Sequence, residues 1–138
     1  ILIRKRKIFL GHVGDSRVYL LRNNILEKLT RDHSLVQDLV FRGVYHQRKQ
    51  KSSSIDSVTR VLGAKPNIEI TTLAHEIKSG DRLLLCSDGL SDMLSDKEIE
   101  EIANTEINNL KKTTKNLIKF ANRRGGRDNI SVILAQIP

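Results

Sequence analysis

The chain begins with short apolar runs at 1–3, 8–10, 18–21 and 25–29, separated by charged residues or by Gly- and Asn-containing breaks. Short apolar runs between turn residues are the mark of β-strands. Asn23-Asn24 between the last two runs is a hairpin signal, because asparagine tolerates the left-handed backbone of a tight turn. This part of the chain predicts a three- or four-stranded antiparallel meander. Ser34 with Gln37 three residues later forms a capping box, and Leu35, Val36, Leu39 and Val40 follow on one face with Gly43 as a stop. A short helix is predicted there. Residues 44–58, "VYHQRKQKSSSIDSV", are basic, serine-rich and without period, the pattern of a surface loop or flap.

Beyond "TRVLG" the pattern predicts a strand at about 67–74, a turn at Ser79-Gly80-Asp81 and a buried strand at 82–86 with the unbroken run Leu83, Leu84, Leu85. An "SDG" turn precedes a second capping box, Ser95 with Glu98, and a helix whose inner face is Ile99, Ile102 and Ala103. A further helix carries Leu110, Leu117, Ile118 and Ala121 and stops at Gly125-Gly126. A last strand at 130–137 alternates Val132, Leu134 and Gln136. Strands, helix, flap, strands, two helices and a strand together predict an α+β layered fold, one domain over 1–138.

Composition removes several function classes. With 38% hydrophobic and 29% charged residues the chain is of ordinary globular type, and no apolar run approaches the ~18 residues of a membrane span. One cysteine, Cys86, excludes an internal disulfide framework and fits a reducing, cytoplasmic setting. The net charge of +8 gathers at 4–7, 48–51, 111–119 and 123–127. Three Phe, two Tyr and no Trp leave it without stacking platforms, so neither nucleic acid nor membrane is expected as a partner. The chain starts at Ile1 rather than methionine and reads as a piece of a longer polypeptide.

Four aspartates occupy one kind of position, at or just past the end of a strand-like run: Asp15 in "HVGDSR", Asp88 in "LLLCSDG", Asp92 four residues on, and Asp128 in "GGRDN". Carboxylates beside glycines at strand mouths suit hard cations such as Mg²⁺ or Mn²⁺, and Cys/His spacing for zinc is absent. Singly, each has a structural explanation: an Asx turn at Asp15 beside Arg17, a turn residue at Asp88, a helix N-terminal charge at Asp92, a pair with Arg127 at Asp128. Spacing alone leaves both explanations open.

The ordered blocks "HVGDSRVYLL", "DHSLVQDLVFRG", "TRVLG", "GDRLLLCSDGLSDML" and "GGRDNISVIL" resemble the metal-dependent protein serine/threonine phosphatases of type 2C, above all the bacterial members, over nearly the whole chain. The resemblance implies a four-layer α-β-β-α sandwich of antiparallel sheets with a metal cluster at one end. It implies that Asp88 and Asp128 hold the central Mg²⁺ or Mn²⁺ ions, and that Asp15 with Asp88 and Asp92 serves an additional, weaker site. It implies hydrolysis of phosphoserine or phosphothreonine in proteins phosphorylated by a serine/threonine kinase, through a metal-activated water. The segment before "TRVLG" resembles the family's flap, and its Arg48, Lys49 and Lys51 are candidates for attracting acidic or phosphorylated substrates.

The family's N-terminal blocks have no counterpart here: a phosphate-holding arginine, a metal-bridging aspartate and a general-acid histidine. His12 and His33 read as structural, and His46 and His75 stand in no motif. The expectation is thus the C-terminal part of a catalytic domain, incomplete at its N-terminus. Such a part, with no catalytic residue of its own, is expected to hydrolyse little and to self-associate through an exposed sheet edge. A pseudophosphatase or phosphoprotein-binding module on the same fold is the alternative, against which the four retained aspartates argue.

Overall fold

A computed structural model of the chain describes residues 1–34, 58–63 and 66–138. β1 (Leu2–Arg4) and β2 (Lys7–His12) form one hairpin, and β3 (Arg17–Arg22) and β4 (Ile25–Lys28) form another. Both turns have two residues with left-handed backbone, Asn23-Asn24 (φ 52° and 65°) as expected and Lys5-Arg6 (φ 48° and 59°) against expectation. Paired positive φ values match the right-handed twist of the flanking strands.

The four strands do not make one meander. Residues 13–16 carry the chain from a three-stranded sheet, β1-β2-β5, to a four-stranded sheet, β4-β3-β6-β7. The burial patterns give the reason. β2 alternates exposed and buried positions, whereas Val18 to Leu21 of β3 are all buried and need cover on both faces. β5 spans Thr71–Glu76 rather than 67–74, because its partner β2 ends at the pair His12–Thr71 and leaves residues 66–70 without a ladder. β6 (Arg82–Cys86) sits beside β3 in the register Leu20–Leu83 and Tyr19–Leu84. β7 (Val132–Gln136) flanks it.

This register separates two cores. Ile8, Leu20, Ile77 and Leu83 fill the space between the sheets, with Leu29, Leu85 and Ile137 against them. The opposite faces of β3 and β6, with Tyr19, Leu84 and Cys86, pack under the helices. Those helices are α1 (Asp88–Ser91), α2 (Asp96–Thr105) and α3 (Leu110–Arg123). They contribute Leu90, Ile99, Ile102, Leu117 and Ala121, with Val132 and Leu134 of β7 alongside. The result is an α+β sandwich of sheet, sheet and helices. No helix covers the outer face of the three-stranded sheet among the described residues, where Leu2 and the paired Phe9 are exposed. The predicted helix after Ser34 and the basic loop up to residue 57 lie outside the described residues.

The helix signals translate directly. Ser95 Oγ accepts from Glu98 N–H while Ser95 N–H donates to the Glu98 carboxylate, a complete capping box. α3 ends with Gly125 N–H donating to Asn122 O at 3.1 Å and Gly126 N–H to Ala121 O at 3.3 Å, the bond pair of a glycine-terminated helix. Thr113, absent from the apolar pattern, is fully buried on α3. Its hydroxyl donates to Glu106 O (3.0 Å), which removes the cost of burial.

Asp81 is more than a turn residue. Buried at the start of β6, it accepts Arg22 Nε (2.9 Å), Arg22 Nη2 (2.6 Å) and Lys78 N–H (2.7 Å). The Arg22 guanidinium holds its carboxyl below the usual carboxylate range. A depressed folded-state value means that this stabilisation is present above about pH 4, the unfolded aspartate value. It fades as pH falls further, through the folded value. Asp81→Ala should therefore cost about 2–3 kcal/mol at pH 7 and progressively less below pH 4, measured by urea unfolding.

Candidate metal centre

The site grows from an interlock between the end of β6 and the entry to β7. Ser87, the N-cap residue of α1, donates its hydroxyl to Asn129 O and accepts Ser131 N–H, both at 3.0 Å. Ser87 N–H adds a bond to Ser131 O (3.1 Å), so the β6–β7 ladder continues past the named strands. Gly89 lies directly under this crossing. A Cβ there would stand 2.4 Å from Asn129 O and 3.0 Å from its carbonyl carbon, so only glycine permits the approach.

The segments joined by the interlock carry three of the four predicted aspartates. Asp88 opens α1 and Asp92 closes it, one helical turn apart on the same face. Asp128, in the crossing segment, shares a cleft of about 240 Å³ with Gly89, Asp92, Met93 and Arg127. Asp88 Oδ1 accepts Gly89 N–H (2.8 Å) and Asp128 Oδ1 accepts Asn129 N–H (2.6 Å), which fixes both carboxylates. The second oxygen of each makes no hydrogen bond among the described residues. Hard, pre-oriented oxygens beside a cleft suit Mg²⁺ or Mn²⁺. Among the described residues, however, no group of three or more acidic, His or Cys side chains converges closely enough to hold an ion alone.

Asp15 lies in the turn at 13–16 that links the sheets. Burial and the nearby Asp88 carboxylate push its carboxyl above the ordinary value, an electrostatic cost that a shared cation would relieve. The expected neighbour Arg17 turns away. Its Nε contacts both Asp32 oxygens (3.1 and 3.0 Å), Nη2 reaches Oδ2 at 2.6 Å, and Nη1 meets the Tyr19 hydroxyl at 3.3 Å. Tyr19 in turn donates to Asp96 (2.8 Å), joining β3 to α2.

Both buried histidines grip the Asp15 turn. His12 Nε2 donates to Ser16 O (2.8 Å). His33 Nδ1 accepts Gly14 N–H at 3.1 Å while its own backbone N–H donates to Gly14 O at 2.8 Å. Cys86 takes no part: burial pushes its thiol up to about 11, too high for a phosphate-accepting thiolate. Arg48, Lys49 and Lys51 lie outside the described residues. Sequence reasoning missed Ser87, Gly89 and Arg127, although the serine and glycine flank Asp88 in "SDG" and the arginine precedes Asp128.

Comparison with known proteins matches the chain to a family. Residues 1–38 match the Protein phosphatase 2C family and residues 42–138 the Stage II sporulation protein E (SpoIIE) family. The chain belongs to the type 2C class of protein phosphatases, in its bacterial form. The serine/threonine phosphatase stp of Listeria welshimeri is 37% identical over 136 residues, covering 98% of this chain and 54% of its own length. The serine/threonine protein phosphatase PstP of Mycobacterium tuberculosis is 38% identical over 137 residues, 99% of this chain and 26% of its own. The crystal structure of the M. tuberculosis phosphatase PstP/Ppp superposes with a TM-score of 0.91 at 36% identity, over 99% of this chain and 57% of that one. A structure of the PstP catalytic domain in complex with two manganese ions gives 0.80 at 37% identity, over 98% of this chain and 55% of that one. The chain thus spans about half the length of the Listeria relative and of these solved structures.

Proposed function

We propose that this chain supplies the C-terminal part of the catalytic domain of a Mn²⁺- or Mg²⁺-dependent phosphatase acting on phosphoserine and phosphothreonine in proteins, the products of a serine/threonine kinase. The observation that carries the reading is the Gly89 interlock, which puts Asp92 and Asp128 on one cleft with Gly89 between them in its lining, next in sequence to Asp88. Asp88 and Asp128 would hold the central ions, and Asp15 with Asp88 and Asp92 an additional, weaker one. When bound, such ions supply a water of lowered pKa and offset charge on the phosphoryl oxygens. The protein's own contribution is rigidity: carboxylates tied to backbone N–H groups need no rearrangement to receive a cation. Arg127 lends positive charge at the rim for a phosphorylated substrate. The lone, buried Cys86 accords with a reducing, cytoplasmic setting. The edge strand β1, with Leu2 and Ile3 exposed, offers a surface for self-association of the isolated chain.

The test is hydrolysis of a phosphothreonine peptide by the full-length protein that carries this chain. Release of phosphate with Mn²⁺, abolished by EDTA and restored by added Mn²⁺, is expected. The 138-residue chain alone, with one wall of the site, should release none above background. Hydrolysis that survives EDTA would sink the reading.

A further inference from the structure

We propose that His33 is a positioning residue that locks the Asp15 turn to the chain at residues 58–60, so that one side chain sets the seat of the weaker metal site. The inference rests on Asp15 serving as a metal ligand, as read above.

The turn at 13–16 crosses between sheets and belongs to neither ladder. Its fixation falls to side chains. His33, 6% exposed, holds Gly14 at two points, through Nδ1 and through its own backbone N–H. Because Gly14 N–H points at Nδ1, the neutral ring carries its proton on Nε2, which donates to Thr71 Oγ1 of β5 (2.8 Å). Thr71 Oγ1 also receives Arg60 Nη1 at 3.4 Å. His33 O accepts Thr59 N–H at 2.7 Å, and Ser34 bridges to Val58. His33 thus joins three pieces: the Asp15 turn, β5 and residues 58–60.

His12 holds the far end of the turn, its ring centroid 4.8 Å from that of His33. His12 Nδ1 is buried without a hydrogen-bond partner among the described residues, a cost the fold carries beside this turn. Gly14 has φ +101°, and a Cβ at this position would stand 3.9 Å from Arg60 O, so the turn passes close to the segment it is tied to. A neutral histidine accepts at one nitrogen and donates at the other, and no single amide spans both positions.

That asymmetry defines the experiment, Mn²⁺ titration calorimetry on the full-length protein. Asn places its amide near the Nδ1 position and can still accept Gly14 N–H; Gln reaches the Nε2 position and serves Thr71 instead. With melting curves confirming the fold, His33→Gln should weaken the weakest Mn²⁺ site about 10–100-fold and leave tighter sites unchanged. His33→Asn, which keeps the Gly14 bond and gives up only the Thr71 bond, should weaken that site less than His33→Gln does. Asp15→Asn is the control and should lose the same weak site. If Asp15→Asn loses the site and His33→Gln keeps it at wild-type affinity, the positioning role is overturned. If Asp15→Asn changes no Mn²⁺ binding, the ligand reading itself is overturned and the inference goes with it. Should His33→Gln not fold, Thr71→Val, which removes an exposed hydroxyl, takes its place: a weakened weak site is expected, and an unchanged one overturns the role.

Discussion

Gly89→Ala is expected to destabilise the protein by about 1–3 kcal/mol and to abolish most of its Mn²⁺ binding. Two effects oppose each other. Alanine in a helix is favoured over glycine by about 1 kcal/mol, yet α1 is a four-residue helix and gains little of that. The added Cβ would lie 2.4 Å from Asn129 O. That atom belongs to backbone and cannot swing away as a flexible side chain would. The crossing must open, and with it go the Ser87 bonds to Asn129 and Ser131 and the placement of Asp128 beside Asp92. Thermal melting combined with Mn²⁺ titration checks the prediction. A variant that melts lower but binds Mn²⁺ normally would separate the interlock from the metal site. An alanine variant as stable as the parent would show that the crossing yields without cost.

Asp128→Asn is the second large effect and tests chemistry rather than packing. The amide oxygen can still accept Asn129 N–H, so the 2.6 Å bond that fixes the side chain survives in kind. Only the charge and one acceptor are removed. The melting temperature should therefore move little, while kcat/KM of the full-length enzyme on a phosphopeptide falls at least about 100-fold and its Mn²⁺ requirement rises. A loss of stability with unchanged Mn²⁺ dependence would assign Asp128 to the turn alone, the structural explanation its position also allows.

Which features were legible in the sequence follows from how far apart their causes lie. Asn23-Asn24 and the Ser95/Glu98 box act within four residues and appear where the sequence places them. The Lys5-Arg6 turn hides, because neither residue favours left-handed backbone; the β1–β2 pairing imposes it. The runs at 8–10 and 18–21 read equally as strands, but their division between two sheets depends on partners more than fifty residues away, β5 and β6. The end of β5 is likewise set by where β2 stops.

The site divides the same way. "SDG" and "GGRDN" are visible as glycine-punctuated carboxylates, and it is their likeness to a phosphatase family that implies a role for them. That Gly89 must be glycine because residues 128–129 press against it appears only when about 40 residues of intervening chain have folded. Arg17 illustrates the converse: adjacency suggested Asp15 as its partner, while the structure pairs it with Asp32, fifteen residues on.

The functional reading stands or falls with Asp88 and Asp128 as the ion-holding wall of a phosphatase site. Anomalous diffraction from Mn²⁺-soaked crystals of the full-length protein addresses that pair without intermediaries. Manganese peaks are expected at coordination distance from carboxylate oxygens of both Asp88 and Asp128. Manganese bound elsewhere, with neither aspartate in its coordination sphere, would refute the assignment.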